Sequence, residues 1–185
     1  MGEEFQKVDL KKFPKTKDAL EKAFAGESQA RNKYAYFASA ARKAGFEQIA
    51  AIFEETADNE KEHAKVFFKL LQGIGSAEEN LKKASEGEKY EWGTMYPAFQ
   101  EIAKGEGWKE AETAFKEIAE VEEQHEKRYN ALLKNLKEGK VFRKDGIVIW
   151  KCRNCGHIHI GKEAPAICPA CRHPQAFFEV KAENY

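Results

Sequence analysis

The sequence predicts a mainly α chain, a metal-binding four-helix bundle followed by a small β module. Three observations carry this. Glu60/His63 and Glu122/His125 are two Glu-x-x-His pairs set 62 positions apart. The same offset relates many residues around them. All four cysteines fall between positions 152 and 171, in two close pairs. At a spacing of three, both side chains of a Glu-x-x-His pair leave one face of a helix. Such a pair on each of two helices is a recurrent way to hold two metals inside a bundle.

The offset of 62 also matches Gly45 with Gly107, Phe53 with Phe115, Glu55 with Glu117 and Ala57 with Ala119. Lys65, Leu70 and Leu71 find Lys127, Leu132 and Leu133, and the aromatic after the glycine is kept in kind as Phe46 and Trp108. A period of this kind marks two copies of one helix-pair unit.

Four helices are expected, at about 16–44, 48–71, 81–104 and 109–136, punctuated by Gly45, Gly73, Gly75, Gly105 and Gly107. The first carries one carboxylate, Glu27, on the stripe Leu20, Ala23, Ala30, Tyr34, Phe37. On the second, Glu60 and His63 interrupt the seam Ile49, Phe53, Thr56, Phe67, Leu70. The third places Glu91 on the face of Thr94, Met95, Ala98 and Ile102, and the fourth sets Glu122 and His125 among Phe115, Ile118, Tyr129 and Leu132. Either lone acid, Glu27 or Glu91, would ordinarily be a solvated surface glutamate. On an apolar seam an unpaired carboxylate is costly unless a partner or a metal neutralises it, so both are expected as ligands. The connection at about 72–80 spans at most ~30 Å if extended, so the third helix is expected to begin late, after further returning chain. Pro97 should kink that helix or open its hydrogen bonding, and Gly93 loosens the same turn.

Beyond Gly139 the pattern changes, which divides the chain into a bundle over 1–138 and a module over 139–185. Val141-Phe142 and Ile147–Trp150 flank Asp145-Gly146, a two-residue hairpin signal. Cys152-x-x-Cys155-Gly156 and Cys168-Pro169-x-Cys171 then offer four thiolates for zinc or a single iron. Phe177, Phe178 and Val180 are expected to form a third strand. A module this small has too little core to stand without its metal. His157, His159 and His173 are expected at the surface or as hydrogen-bond donors, and not as ligands.

Composition bounds the function. Thirty-one basic and 31 acidic residues give a formal charge of zero, with no basic block for nucleic acid. No stretch approaches the ~20 apolar residues that span a bilayer, and the charged start is expected to be neither signal peptide nor anchor. Close-set cysteines suited to metal point to a reducing compartment, the cytoplasm.

The chain resembles the rubrerythrin family over essentially its whole length. The resemblance is carried by AFAGESQARNKY around Glu27, ETADNEKEHAK around Glu60 and His63, MYPAF after Glu91, EEQHEKRY in the fourth helix, and CRNCGHIHIGKEAPAICPACRHP in the tail. It implies a ferritin-like bundle with a non-haem di-iron centre, a rubredoxin-like β domain with a mononuclear iron held by the four cysteines, and reduction of hydrogen peroxide in oxidative stress defence. It makes Glu60 and Glu122 bridging carboxylates, gives Glu27 and His63 to one iron, and Glu91 and His125 to the other. In the family a further glutamate follows the third-helix ligand by three residues and alternates with the second-helix histidine; here that slot reads as Thr94. The expected set is then four carboxylates and two histidines, which puts the ligand exchange in question.

The expected enzyme is a peroxidase, NADH-linked through an electron-donor protein such as a rubredoxin or an NAD(P)H-dependent reductase. The bundle irons donate two electrons to the O–O bond, the thiolate iron returns electrons singly, and Tyr34 stands ready as a proton source. Two alternatives remain at this point: a ferroxidase or oxygen-reducing iron protein, and a helical interaction module with a zinc ribbon. The fourth helix runs about eleven residues past His125, or ~17 Å at ~1.5 Å per residue. The tail therefore lies far from its own bundle metals, and a head-to-tail homodimer is expected, each tail serving its partner.

Overall fold

The structure is a computed structural model that describes residues 5–183. The chain divides into two compact units, one up to Gly75 and one from Ser76 onward.

The first unit is a helical hairpin. A short 3-10 turn, Leu10–Lys12, leads into α1 (Pro14–Lys43), and α2 follows as Glu47–Leu70. Pro14 suits the first turn of α1, where its missing N–H costs no helical bond. Gly45 ends α1 at φ 84°, with the N–H of Phe46 returning to the carbonyl of Ala41 at 3.0 Å and that of Gly45 to Arg42 at 3.0 Å. This is the paired bonding that closes a helix through a left-handed residue. Two helices alone enclose little: the buried residues are Ala38, Ala50, Ala57 and Ala64. These small side chains let the axes approach closely. Arg42 fastens the turn end with a two-pronged bond to Glu54 at 2.9 and 2.8 Å.

The second unit begins with α3 (Ala77–Tyr90), then a π-turn (Glu91–Met95), α4 (Tyr96–Glu106) and α5 (Lys109–Lys137). The late start expected for the third helix from the reach of the connection does not occur: the helix begins at Ala77, before the expected position of about 81. Ser76 and Glu79 form a reciprocal capping box that fixes the start at Ala77. Within the π-turn the Tyr96 N–H reaches the Glu91 carbonyl, one residue beyond the α-helical partner. Pro97, which has no N–H to give, follows at once. The expected local opening near Gly93 and Pro97 is therefore one inserted residue in an otherwise continuous helix. Gly107, at φ 76°, closes α4 as Gly45 closes α1.

The sheet has the order β2-β1-β3, with β1 Arg143–Cys152, β2 Ile158–Glu163 and β3 Phe178–Val180, all pairings antiparallel. The expected Asp145-Gly146 hairpin does not form. Both residues lie within β1, whose pairing passes from Arg143↔Glu163 to Val148↔Gly161, an irregularity of the bulge kind. A tight hairpin turn needs positive φ at Asp-Gly, and Gly146 is not among the positive-φ glycines. Asp145 instead pairs with Lys140 at 2.9 Å. The third strand forms through Phe178 and Val180 as expected, whereas Phe177 ends the preceding 3-10 turn, Gln175–Phe177. Trp150, Cys152, Ala164, Cys168 and Phe178 are the buried core, and the Trp150 indole donates to the Gly161 carbonyl at 3.1 Å. The expected boundary near Gly139 thus separates helix from sheet inside the second unit.

Candidate metal centres

Each unit gathers one Glu–Glu–His cluster. In the first, α1 presents Glu27 and α2 presents Glu60 and His63, with ligand atoms within 4.8 Å of one another. His63 Nδ1 is 2.8 Å from Glu60 and 3.9 Å from Glu27. In the second, α3 presents Glu88 and α5 presents Glu122 and His125, again within 4.8 Å. His125 Nδ1 is 2.6 Å from Glu122 and 3.8 Å from Glu88. The two geometries agree to within 0.2 Å, as copies of one unit should.

The cluster acid on the third helix is Glu88, where the sequence pointed to Glu91. The repeat explains the difference. Leu20, Ala23 and Glu27 match Leu81, Ala84 and Glu88 at an offset of 61, whereas Tyr34, Phe37 and Gly45 match Tyr96, Phe99 and Gly107 at 62. The extra residue is the one the π-turn absorbs. Glu27 precedes Tyr34 by seven residues and Glu88 precedes Tyr96 by eight, so this change of offset was a readable signal. With Glu88 in that place, the position three residues on is Glu91, and Thr94 is exposed within the π-turn. Glu91 is half-buried, and its charge reaches both Glu88 and Tyr96.

Electrostatics favour a cation in each cluster. The Glu27 carboxyl is held above its ordinary range by its hydrogen bond to Glu60 and by desolvation, and the Glu60 charge adds to both. Burial raises Glu88, with the Glu122 and Glu91 charges adding. Two carboxylates that resist joint ionisation are what a divalent ion relieves, and two Glu and one His are a donor set suited to iron.

Aromatic residues flank both clusters in matching fashion. Phe53 lies 5.6 Å from Phe37 and 6.1 Å from Tyr34 between ring centroids. Phe115 lies 5.6 Å from Phe99 and 6.2 Å from Tyr96. Tyr34, expected as a proton source, sits in the first of these groups. Tyr96 is its counterpart and was not singled out from sequence. Its phenol is held above the ordinary range by burial and by the charges of Glu91, Glu122 and Glu88, so it keeps its proton.

In the β module the four sulfurs lie within 4.8 Å of one another. Cys152 and Cys171 are 3.8 Å apart, and Cys155 and Cys168 are 3.7 Å apart. A tetrahedron with ~2.3 Å metal–sulfur bonds has edges of ~3.8 Å, so the donors fit a single metal ion. Two matching knuckles build the site: Cys152 N–H donates to the His157 carbonyl at 2.9 Å, and Cys168 N–H to the His173 carbonyl at 2.8 Å. The residue after each second cysteine is left-handed, Gly156 at φ 78° and Arg172 at φ 63°. The His173 backbone N–H and the neighbouring sulfurs draw the Cys171 thiol down to about 5. At Cys155 the His157 N–H pulls the same way, but the adjacent sulfurs and burial prevail and push it up to about 12. Among the described residues the group holds four cysteines and no histidine. His173 packs its ring on Phe177 at 4.5 Å.

Comparison with known proteins bears on both sites. The family model described as Rubrerythrin matches residues 18–133, and that of the rubrerythrin rubredoxin-like domain matches 150–179. The chain is 50% identical to Rubrerythrin-1 of Clostridium acetobutylicum, covering 94% of this chain and 98% of that one. It is 51% identical to a rubrerythrin of Porphyromonas gingivalis, covering 94% of each chain. The rubrerythrin of Nitratidesulfovibrio vulgaris is 46% identical, with 94% of this chain and 98% of the relative covered.

Proposed function

Since this chain belongs to the rubrerythrin family, we propose that it reduces hydrogen peroxide to water in oxidative stress defence. The family fixes the fold class as ferritin-like helices followed by a rubredoxin-like domain. It also fixes the cofactors, a non-haem di-iron centre and an iron held by four cysteines. The observation that carries the proposal is the pair of equivalent Glu–Glu–His clusters on a duplicated helix pair, joined in one chain to four sulfurs at tetrahedral spacing.

We assign Glu27, Glu60 and His63 to one half of the di-iron donor set and Glu88, Glu122 and His125 to the other. Glu91 fills the slot of the family's further carboxylate. Loaded with iron, these carboxylates and histidines would hold a two-electron source for the O–O bond, and the four cysteines would hold a one-electron iron able to replenish it. One peroxide, two protons and two electrons give two waters. The carboxylates balance the metal charge, and the Tyr96 phenol, near the charges of Glu91, Glu122 and Glu88, is the proton source on that side, with Tyr34 as its counterpart in the first unit. Cys152 and Cys168 are buried against Trp150 and Phe178, which shields two of the four sulfurs from solvent. Electrons would come from NADH through a rubredoxin or an NAD(P)H-dependent reductase, in the cytoplasm, to a head-to-tail homodimer. No helix among the described residues is long and apolar enough to cross a membrane.

The test is the rate at which the fully reduced protein is reoxidised by peroxide and by oxygen in stopped flow. Faster oxidation by peroxide is expected, with three peroxides consumed for every two fully reduced chains, since each chain holds two electrons at the di-iron centre and one at the thiolate iron. Equal or faster oxidation by oxygen would support the ferroxidase reading instead. A colourless, zinc-loaded tail in protein purified from its native host would favour an interaction module.

A further inference from the structure

The two copies of the helix pair differ beside their clusters. In the first, Phe24 of α1 stacks on Phe68 of α2, ring centroids 4.8 Å apart, next to the buried Ala64. The residues at the same repeat positions in the second copy are Ser85, Asn130 and Glu126, all polar. They form a chain of hydrogen bonds. Ser85 Oγ, 7% exposed, donates to Asn130 Oδ1 at 2.7 Å, and Asn130 Nδ2 donates to Glu126 Oε1 at 3.3 Å. Glu126 Oε2 accepts from the indole N–H of Trp92 at 2.7 Å. Both carboxylate oxygens of Glu126 are thereby engaged. A hydrogen bond to a charged acceptor is the stronger kind, and this one ends inside the π-turn.

The placement is specific. Trp92 is the residue after Glu91, and Glu126 is the residue after His125. A π-turn is a rare single-turn insertion in an α-helix, found mostly at functional sites. The copy without an inserted residue has Arg31 at the position of Trp92, exposed, and Ala64 at that of Glu126. The bond therefore occurs in the copy that carries the extra residue and the extra carboxylate. We propose that Trp92 and Glu126 are positioning residues: their indole–carboxylate bond holds the π-turn against α5, sets the direction of Glu91, and makes the two irons inequivalent. This rests on the reading that Glu88, Glu91 and His125 serve iron.

The experiment compares Mössbauer spectra and iron content of the iron-loaded parent with Trp92→Phe, Glu126→Ala and Glu126→Gln. Arg31→Phe serves as the control in the other copy. The thiolate iron is an internal standard of intact fold. Trp92→Phe and Glu126→Ala should keep full iron, helix content and thiolate signal while changing the quadrupole splitting of one bundle iron. Glu126→Gln, which still offers an oxygen to the indole, should restore the parent spectrum, and Arg31→Phe should leave it unchanged. If either of the first two variants fails to fold, the other decides. Parent-like bundle spectra in the folded variant, or equal change at both irons, would overturn the proposal. A parent inactive toward peroxide would sink the functional reading, yet the one-iron spectral change would still be observed if the positioning role is right.

Discussion

A glutamate placed at position 94 lies six residues from Glu88, on the far side of the wide turn that begins at Glu91. Thr94 is exposed, so a carboxylate there is a solvated charge a short way from the cluster and not a donor to it. Thr94→Glu should leave the ratio of peroxide to oxygen reactivity within about twofold of the parent, since one exposed, screened charge contributes well under ~1 kcal/mol. Glu88→Ala should cost bundle iron while sparing the thiolate absorption, because it removes one of three convergent donors. Metal analysis with visible spectroscopy reads both. Loss of bundle iron from Glu91→Ala, with full retention in Glu88→Ala, would restore Glu91 to the cluster acid's place. Residue identity alone did not separate these two glutamates. Both lie on one α-helical face by spacing, and only the inserted residue distinguishes them.

At the scale of elements, β1 and the knuckle that follows it separate two glycines with opposite requirements. A Cβ at either Gly146 or Gly156 would meet nothing within 4 Å, so packing plays no part and conformation decides. Gly156 sits at φ 78°. Gly156→Ala should therefore destabilise the β module by about 1–2 kcal/mol, the cost of left-handed backbone for an L residue. Gly146 has no such φ, and Gly146→Ala should be neutral or stabilising by a few tenths of a kcal/mol through the unfolded chain. The denaturant midpoint for loss of the thiolate absorption measures both. A cost at Gly146 equal to that at Gly156 would bring back the hairpin. The Asp-Gly signal misled because it is local. Pairing with β2 through Val148–Lys151 and with β3 through Trp150–Cys152 favours one long strand with a bulge over a turn.

For the whole molecule, the proposed head-to-tail homodimer predicts electron transfer between subunits. Subunits lacking bundle iron through His125→Ala are mixed with subunits lacking the thiolate centre through Cys168→Ser. Mixed dimers should recover peroxide reduction to about one quarter to one half of the parent rate, because one intact tail then faces one intact bundle centre. Mixed dimers that form but stay inactive would show that the tail serves its own chain's irons.

By itself the sequence determined the duplicated helix pair, the Glu-x-x-His pairs and the four-cysteine module. Helical periodicity, repeat offset and ligand spacing are properties of the chain that no packing can alter. It also placed the glycine stops at Gly45, Gly107 and Gly139, which all take positive φ at helix ends, but not Gly105, which lies inside α4 because a helix tolerates an isolated glycine. Tertiary structure decided what depends on partners distant in sequence. The structure groups Glu88 with Glu122 and His125 and puts the residue that changes the repeat offset from 61 to 62 in the π-turn. Glu126, unremarkable on its own helix, becomes part of the site's support because the Trp92 indole reaches it from 34 residues away. Asp145 and Gly146 stay extended because pairing with β2 and β3 commits β1 to the sheet. In each case a contact between residues distant in sequence decided what the local pattern left open.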